Sequence, residues 1–209
     1  MKIIENLQWR YATKKFDNNK IVPENKLDII KQAFNLTPTS YGLQPIKMMV
    51  IKDKALQIDL IPHSYGQKQV AQASHVLVFC IDTNIDEDYI KNYFKLVKET
   101  RNTPSNILKP FEDDLIKSFS KKDRIQLEEW ATKQAYLAMG NLLTVCAIEG
   151  IDACPMEGFV PQAYDDLLKL EEKLLKSVLV MPIGYRAKDD AFAKFKKVRK
   201  TLEDSVIVV

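Results

Sequence analysis

Two cationic segments stand at opposite ends of the chain, Arg10-Tyr11-Ala12-Thr13-Lys14-Lys15-Phe16 and Lys196-Lys197-Val198-Arg199-Lys200. A guanidinium offers a planar fork to a phosphate and an ammonium a mobile point charge, so a phosphate clamp is the chemistry these side chains suit. Each segment also fits a plainer role. The first can be a set of cations favoured at a helix C-terminus, the second a solvated basic turn. If the second is extended, Lys197 and Arg199 point to one side. Similar pairs occur at Lys52/Lys54 and Arg186/Lys188, so the spacing is not distinctive by itself. Two further segments carry little charge. In Pro38-Thr39-Ser40-Tyr41-Gly42-Leu43-Gln44-Pro45 the hydroxyls, glycine and amide suit hydrogen bonding to a flat polar ligand. In Gly150–Phe159, Pro155 and Gly158 shape the backbone and the glycine allows close approach of a ligand. Glu157, between Met156 and Gly158, is an unusual acid for so apolar a stretch.

Other chemistries lack their residues. There is no GxSxG, HExxH, P-loop or GxGxxG pattern. The histidines are His63 and His75, and His75 opens an apolar run that reads as a buried strand, so it is expected to be structural. No metal site is expected with so few histidines. Cys80, Cys146 and Cys154 are odd in number, none in CxxC spacing, and all lie in apolar surroundings. They read as buried, reduced thiols in a cytoplasmic protein. The segment MKIIENLQWR lacks the apolar core of a signal peptide, and Val76–Ile81 and Val178–Ile183 are too short to span a bilayer. A membrane partner is therefore not expected.

The elements that must position these segments follow from hydrophobic patterning. The 209 residues, 46% hydrophobic and 28% charged, read as a single globular domain over 1–209. The net charge, 31 minus 28 or +3, is too small to point to nucleic acid. Two helices are expected within the first thirty-six residues, the second opened by Pro23 with Leu27, Ile30 and Phe34 on one face. Lys47–Lys52, Ser74–Asp82 and Ser177–Tyr185 read as strands, the last two buried on both faces. The middle is helical, interrupted at Thr103–Asn106. Ser120 with Asp123 resembles an N-cap with an acid three residues on. A long helix follows from about Asp123 to Glu149, and its half Ala135–Ile148 is apolar nearly all round, so a partner subunit is a plausible cover. Gly150 ends it, and another helical stretch covers Gln162–Leu168. The tail Asp204–Val209 is apolar and strand-like and should pair with a sheet edge, in its own subunit or a neighbour. Helices outnumber strands without regular alternation, which predicts an α+β fold.

In order along the chain, Arg10…Thr13-Lys14…Phe16-Asp17, Thr39-Ser40…Gln44-Pro45, Ala73-Ser74-His75-Val76 with Val78-Phe79-Cys80, Gly140-Asn141-Leu142-Leu143 through Pro155-Met156-Glu157-Gly158-Phe159, Pro182-Ile183-Gly184-Tyr185 and Lys197-Val198-Arg199 resemble the nitroreductase family. The resemblance is to the smaller, oxygen-insensitive NAD(P)H nitroreductases and dihydropteridine reductase-like proteins, and runs nearly end to end. It implies a nitroreductase-like fold, a central mixed sheet flanked by helices, in a homodimer whose C-terminal tail pairs onto the partner. It also implies FMN as cofactor and NADH or NADPH as co-substrate, with a ping-pong transfer of hydride through flavin N5 to a nitroaromatic, quinone, flavin or pterin. No catalytic side chain is implied, because the flavin carries the chemistry. Arg10, Lys14, Lys197 and Arg199 would surround the phosphate. Tyr11 and Ala12 would approach the ribityl–phosphate region. Pro155, Glu157 and Gly158 would lie along the isoalloxazine, Ser40 and Gln44 would come from the other subunit, and Met156, Thr39 and Gly42 would also belong to the cofactor site.

Two positions depart from the family pattern. Gly42 stands where asparagine is common, removing one side-chain amide. Tyr65-Gly66-Gln67-Lys68-Gln69 replaces an Asn and a Lys, so Gln67 or Gln69 would supply a neutral amide in place of a cation. A neutral donor stabilises negative charge on the ring less, implying a lower flavin potential. The same fold with enone or dehalogenating chemistry, and a non-enzymatic flavin sensor, are the alternative readings.

Overall fold

The computed structural model describes residues 2–209. At its centre β1 (Ile46–Ile51), β2 (His75–Asp82), β3 (Asp152–Ala153) and β4 (Leu175–Gly184) form one sheet in the order β1-β2-β4-β3. Every residue of β2 is buried, as its unbroken apolar run requires of a central strand covered on both faces. Leu77, Phe79 and Ile81 enter one core cluster, while Val76, Val78 and Cys80 enter the other. That division is the period-two alternation of a strand. β1 and β4 flank β2 antiparallel, with a register irregularity at Phe79/Cys80 on the β4 side. The named strands all pair antiparallel, and parallel pairing occurs at the bridge Ala12–Ala153. The sheet is therefore mixed only at its β3 edge, where the N-terminal segment joins it.

Helices cover both faces. On one lie α2 (Glu24–Asn35), α5 (Glu87–Arg101), α6 (Ser105–Phe119) and α7 (Arg124–Ile148), contributing Ile30, Phe94, Phe119 and Leu142 to the first cluster. On the other, α8 (Pro161–Leu168) contributes Tyr164 and Leu168, with α3 (Lys54–Asp59) and α4 (Gln69–Gln72) beside it. The helix α1 (Lys2–Trp9) contacts α7. All three cysteines are free and buried, and burial pushes the Cys80 and Cys146 thiols up to about 12. His75 is buried with Nδ1 2.9 Å from Ser74 Oγ, a structural placement.

Two expectations need correction. The N-cap of α7 is Asp123, not Ser120. Asp123 Oδ1 accepts the Gln126 N–H at 2.9 Å, and Gln126 Oε1 accepts the Asp123 N–H at 3.1 Å. Ser120 instead closes α6, donating its backbone N–H to Ile116. The tail is not a strand of this chain's sheet. Thr201 caps one helical turn, α9 (Leu202–Ser205), and beyond it Ile207 and Val208 are 88% and 91% exposed. The apolar half of α7 likewise leaves Tyr136, Leu137 and Ile148 exposed in the single chain.

The capping assignment makes a direct prediction. Asp123→Ala should cost about 1 kcal/mol in urea unfolding, and Ser120→Ala no more than about 0.5 kcal/mol. Equal losses would return the cap to Ser120.

Candidate functional site

The two ends of the chain meet at the β3 edge. After α1, residues 10–17 run beside the sheet, with the Thr13 N–H donated to Ala153 at 3.3 Å and the Asp17 N–H to Tyr185 at 2.8 Å. The chain leaving β4 returns along this segment, and the Ala187 N–H donates to the Lys15 carbonyl at 2.9 Å. A short turn at Ala191–Lys194 then carries residues 195–200 over Arg10, where the Lys197 ammonium donates to the Arg10 carbonyl. The result is a cleft of about 400 Å³ whose walls include Arg10, Tyr11, Ala12 and Lys14 from one end and Lys197 and Arg199 from the other.

Among the described residues, no carboxylate lines this cleft. Burial, followed by the charge of Arg199, lowers the Arg10 pKa. Burial, followed by Arg10, Arg199 and Arg186, lowers that of Lys197. Both side chains thus feel uncompensated positive neighbours. A bound anion would favour the charged form of both side chains.

Two acids outside the cleft hold its walls. Asp152, 4% exposed, accepts from Arg186 Nε at 2.7 Å, pairs with Arg186 Nη2 at 2.5 Å and accepts the Arg186 backbone N–H at 2.8 Å. The guanidinium lies 4.2 Å from the Trp9 ring centroid and 4.6 Å from that of Tyr11. These are cation–π distances that fix the residues flanking Arg10. Asp190 accepts the Tyr11 hydroxyl at 2.8 Å and the backbone N–H groups of Lys14 at 3.0 Å, Lys15 at 3.2 Å and Phe192 at 3.0 Å. Burial and the Asp190 carboxylate raise the Tyr11 pKa, keeping the phenol protonated as a donor. Sequence reasoning missed these positions. Asp152 carried a readable signal, an acid between Ile151 and Ala153 that burial obliges to find a cation. Asp190 carried none, because most of its partners are backbone amides.

The Pro155–Gly158 turn is pinned to β4 by mutual backbone hydrogen bonds between Met156 and Val180, at 2.8 and 3.1 Å. Lys14 Nζ, from the cleft wall, lies 3.9 Å from the Sγ of Cys154, the residue that precedes the turn. Gln67 Nε2 donates to the Gly158 carbonyl at 2.7 Å, and buried Gln69 donates to Gln67 Oε1 at 2.8 Å. Gln69 Nε2 also lies 3.9 Å from Met156 Sδ. Around the turn, a second hollow of about 500 Å³ is lined by Tyr136, Met139, Pro155, Met156, Glu157 and Leu179, among others. Tyr136 donates its hydroxyl to Glu157 at 2.8 Å.

The Thr39–Gln44 loop lines neither hollow. Gln134 Oε1 accepts the Ser40 N–H at 2.9 Å, Thr39 Oγ1 accepts the Gln44 N–H at 3.0 Å, and Gln44 Nε2 donates to the Asn35 carbonyl at 2.9 Å. Tyr41, Gly42 and Gln44 are left-handed, with φ of 59°, 75° and 48°. A Cβ at Gly42 would overlap the Tyr93 hydroxyl and lie 3.1 Å from Tyr93 Cζ, so a side chain there would have to displace the Tyr93 ring as well as adopt a left-handed backbone. Of the residues singled out from sequence, the structure therefore joins Arg10, Tyr11, Ala12, Lys14, Lys197 and Arg199, links them through Lys14 to the Gln67–Gln69 and Pro155–Gly158 group, and leaves Thr39, Ser40, Gly42 and Gln44 apart. No cluster of described residues could hold a metal ion.

This arrangement, an α+β sheet with a cationic cleft formed by both ends of the chain, has relatives. The sequence pattern of the nitroreductase family matches residues 7–185. YfkO of Bacillus subtilis (strain 168), assigned as an NAD(P)H nitroreductase, is 34% identical over 98% of this chain and 96% of its own. Among solved structures, ydfN of Bacillus subtilis, assigned as a nitroreductase, superposes with a TM-score of 0.88 at 18% identity, covering 100% of this chain and 99% of its own. A protein from Exiguobacterium sibiricum, assigned as a nitroreductase and solved in complex with FMN, gives 0.84 at 20% identity, covering 99% and 97%. The chain belongs to the nitroreductase family, a family of oxidoreductases.

Because Asp152 is the buried counter-ion of Arg186, Asp152→Asn should destabilise the fold by about 2–3 kcal/mol in urea. A loss below about 0.5 kcal/mol would mean that the pair does not hold the cleft wall.

Proposed function

We propose that this protein is an FMN-dependent NAD(P)H oxidoreductase that reduces a nitroaromatic, quinone, flavin or pterin. The observation that carries the reading is the convergence of Arg10 and Lys14 with Lys197 and Arg199, with no carboxylate among the described residues lining the cleft, near the Pro155–Gly158 turn. A phosphate monoester with nearly two negative charges fits such a cleft. The FMN-bound structural neighbour and the NAD(P)H nitroreductase name of YfkO support the same choice.

When bound, FMN would supply the redox chemistry, taking a hydride from NADH or NADPH and passing reducing equivalents to the acceptor in a ping-pong cycle. The protein's residues bind and orient. The four cations would hold the phosphate, and Tyr11 and Ala12 the adjoining ribityl region. The amide-linked Gln67 and Gln69 would face the polar edge of the ring, while Pro155, Met156, Glu157 and Gly158 form the surface on which it lies. Thr39, Ser40, Gly42 and Gln44 would be supplied by a second copy of the chain, which agrees with their lining neither hollow of their own subunit. The exposed apolar residues Tyr136, Leu137 and Ile148 of α7 and the tail Val206–Val209 give that copy a surface to cover. No described helix is long and apolar enough to cross a membrane, and the buried thiols suit a cytoplasmic setting.

The purified protein should be yellow, release FMN on heating and lose its colour with NADH or NADPH. A colourless protein that FMN cannot reconstitute would overturn the reading, and a yellow one that neither nucleotide bleaches would favour a flavin sensor. Arg199→Ala should weaken FMN binding at least about tenfold, or about 1.4 kcal/mol, whereas Lys188→Ala should leave it within about twofold. Equal affinities would refute the clamp. Gln69→Lys should raise the flavin potential in a redox titration. An unchanged or lowered value would remove Gln69 from the ring edge.

A further inference from the structure

Asp190 presents an apparent contradiction. It is a buried carboxylate beside a cleft that, on the reading above, receives an anion. Its charge is nevertheless fully engaged. Oδ2 accepts the Tyr11 hydroxyl and two successive backbone N–H groups, of Lys14 and Lys15. Oδ1 accepts the Phe192 N–H, which opens the turn leading to Lys197 and Arg199. One carboxylate therefore binds both legs of the cleft, the N-terminal leg at three points and the C-terminal leg at one. Three further contacts lie along the same seam. The Ala187 N–H donates to Lys15, Lys15 pairs with Asp189, and Lys197 donates to Arg10. Of these, only the Lys197 contact engages a residue of the clamp through its side chain, and that side chain must itself turn toward a ligand.

We infer that Asp190 is a positioning residue for the phosphate end of the site, holding the Arg10–Lys14 leg and the Lys197–Arg199 leg at the separation that lets their cations meet one phosphate. The inference rests on the FMN reading but concerns a residue that touches no part of the ligand itself. Two simpler ideas make different forecasts. If only the charge of Asp190 mattered, removing it would strengthen anion binding, because a negative neighbour is lost. If Asp190 served the fold alone, its loss would weaken every flavin equally.

Positioning makes a third forecast, in which loss of Asp190 weakens ligands that carry the phosphate and spares those that lack it. FMN and riboflavin differ in that group alone. Binding of each to wild-type protein and to Asp190→Asn, read by quenching of flavin fluorescence, separates the three cases. We expect the variant to lose about tenfold or more in FMN affinity, equivalent to about 1.4 kcal/mol, with riboflavin changed less than about threefold. Tighter FMN binding overturns the inference in favour of charge alone, and unchanged FMN binding overturns it outright. Equal weakening of both flavins, with a lowered melting temperature, overturns it in favour of a fold role. Failure of the wild-type protein to bind FMN overturns the parent reading, an outcome visible before any variant is compared. Should Asp190→Asn not purify folded, Tyr11→Phe removes one of the same hydrogen bonds and keeps the ring under Arg186. It should reduce the ratio of FMN to riboflavin affinity by a smaller factor, and an unaltered ratio there counts against the inference.

Discussion

Arg10, Lys14, Lys197 and Arg199 share one cleft that no carboxylate among the described residues lines, and Arg10, Lys197 and Arg199 lie close enough to repel one another. Much of the architecture around the β3 edge follows from that constraint. The cations must be held from outside, by contacts that leave the guanidinium and ammonium groups free. Asp152 meets the requirement by binding Arg186, which in turn stacks on the rings flanking Arg10. Asp190 meets it through backbone amides and one phenol. Both acids are buried, and each is satisfied by several donors, as a buried charge requires. An anion in the cleft would offset the repulsion and stabilise the fold by mass action.

The frame that permits this is the β2–β4 pair. Its long antiparallel register fixes where β4 ends, and that end sets both the Arg186 position and the turn that sends the chain back over Arg10. The same strand pins the Pro155–Gly158 turn through Met156 and Val180. Cleft and turn are therefore referenced to one strand, with Lys14 between them. The Thr39–Gln44 loop is built differently. It is anchored by Gln134 from α7 and held in left-handed backbone at Tyr41, Gly42 and Gln44. Conformations of that kind persist where the surroundings over-determine them, and here Tyr93 occupies the space a side chain at Gly42 would need.

What could be read from the sequence follows the range of the forces involved. The strand His75–Asp82 was legible because burial on both faces writes itself as an unbroken apolar run. The span of α7 was legible to within a residue at each end, through its length and Gly150. Its cap was not, because Ser120 and Asp123 are both good caps and the choice depends on where α6 stops. Of the two places open to the tail, its own sheet and a neighbour's, the single chain excludes the first. Valine and isoleucine favour strands only when a sheet edge accepts them, and no edge of this chain does. In the site, the cations at both ends of the chain were legible as residue types, but their meeting came only through the family resemblance, since nothing local in Lys197 or Arg199 refers to Arg10. Asp190 lay beyond sequence reasoning altogether, because a carboxylate that binds backbone amides leaves no mark in its partners' identities.

The charge of the molecule takes on a different meaning in this light. Setting aside Arg10, Lys14, Lys197 and Arg199, 31 minus 4 leaves 27 cations against 28 acids. Without those four cations the remaining charges sum to −1, so the positive sign of the net charge depends on them. A surface so balanced gives little long-range attraction for polyanions, which depend on many exposed phosphate contacts. Within the cleft the same cations act together over a short range, Arg10 half-buried and Lys14, Lys197 and Arg199 exposed around it. On the FMN reading, a small phosphorylated ligand would be preferred over a polymer because of where the positive charge is placed, and Asp152 and Asp190, which hold the cleft walls from outside, would contribute to that preference.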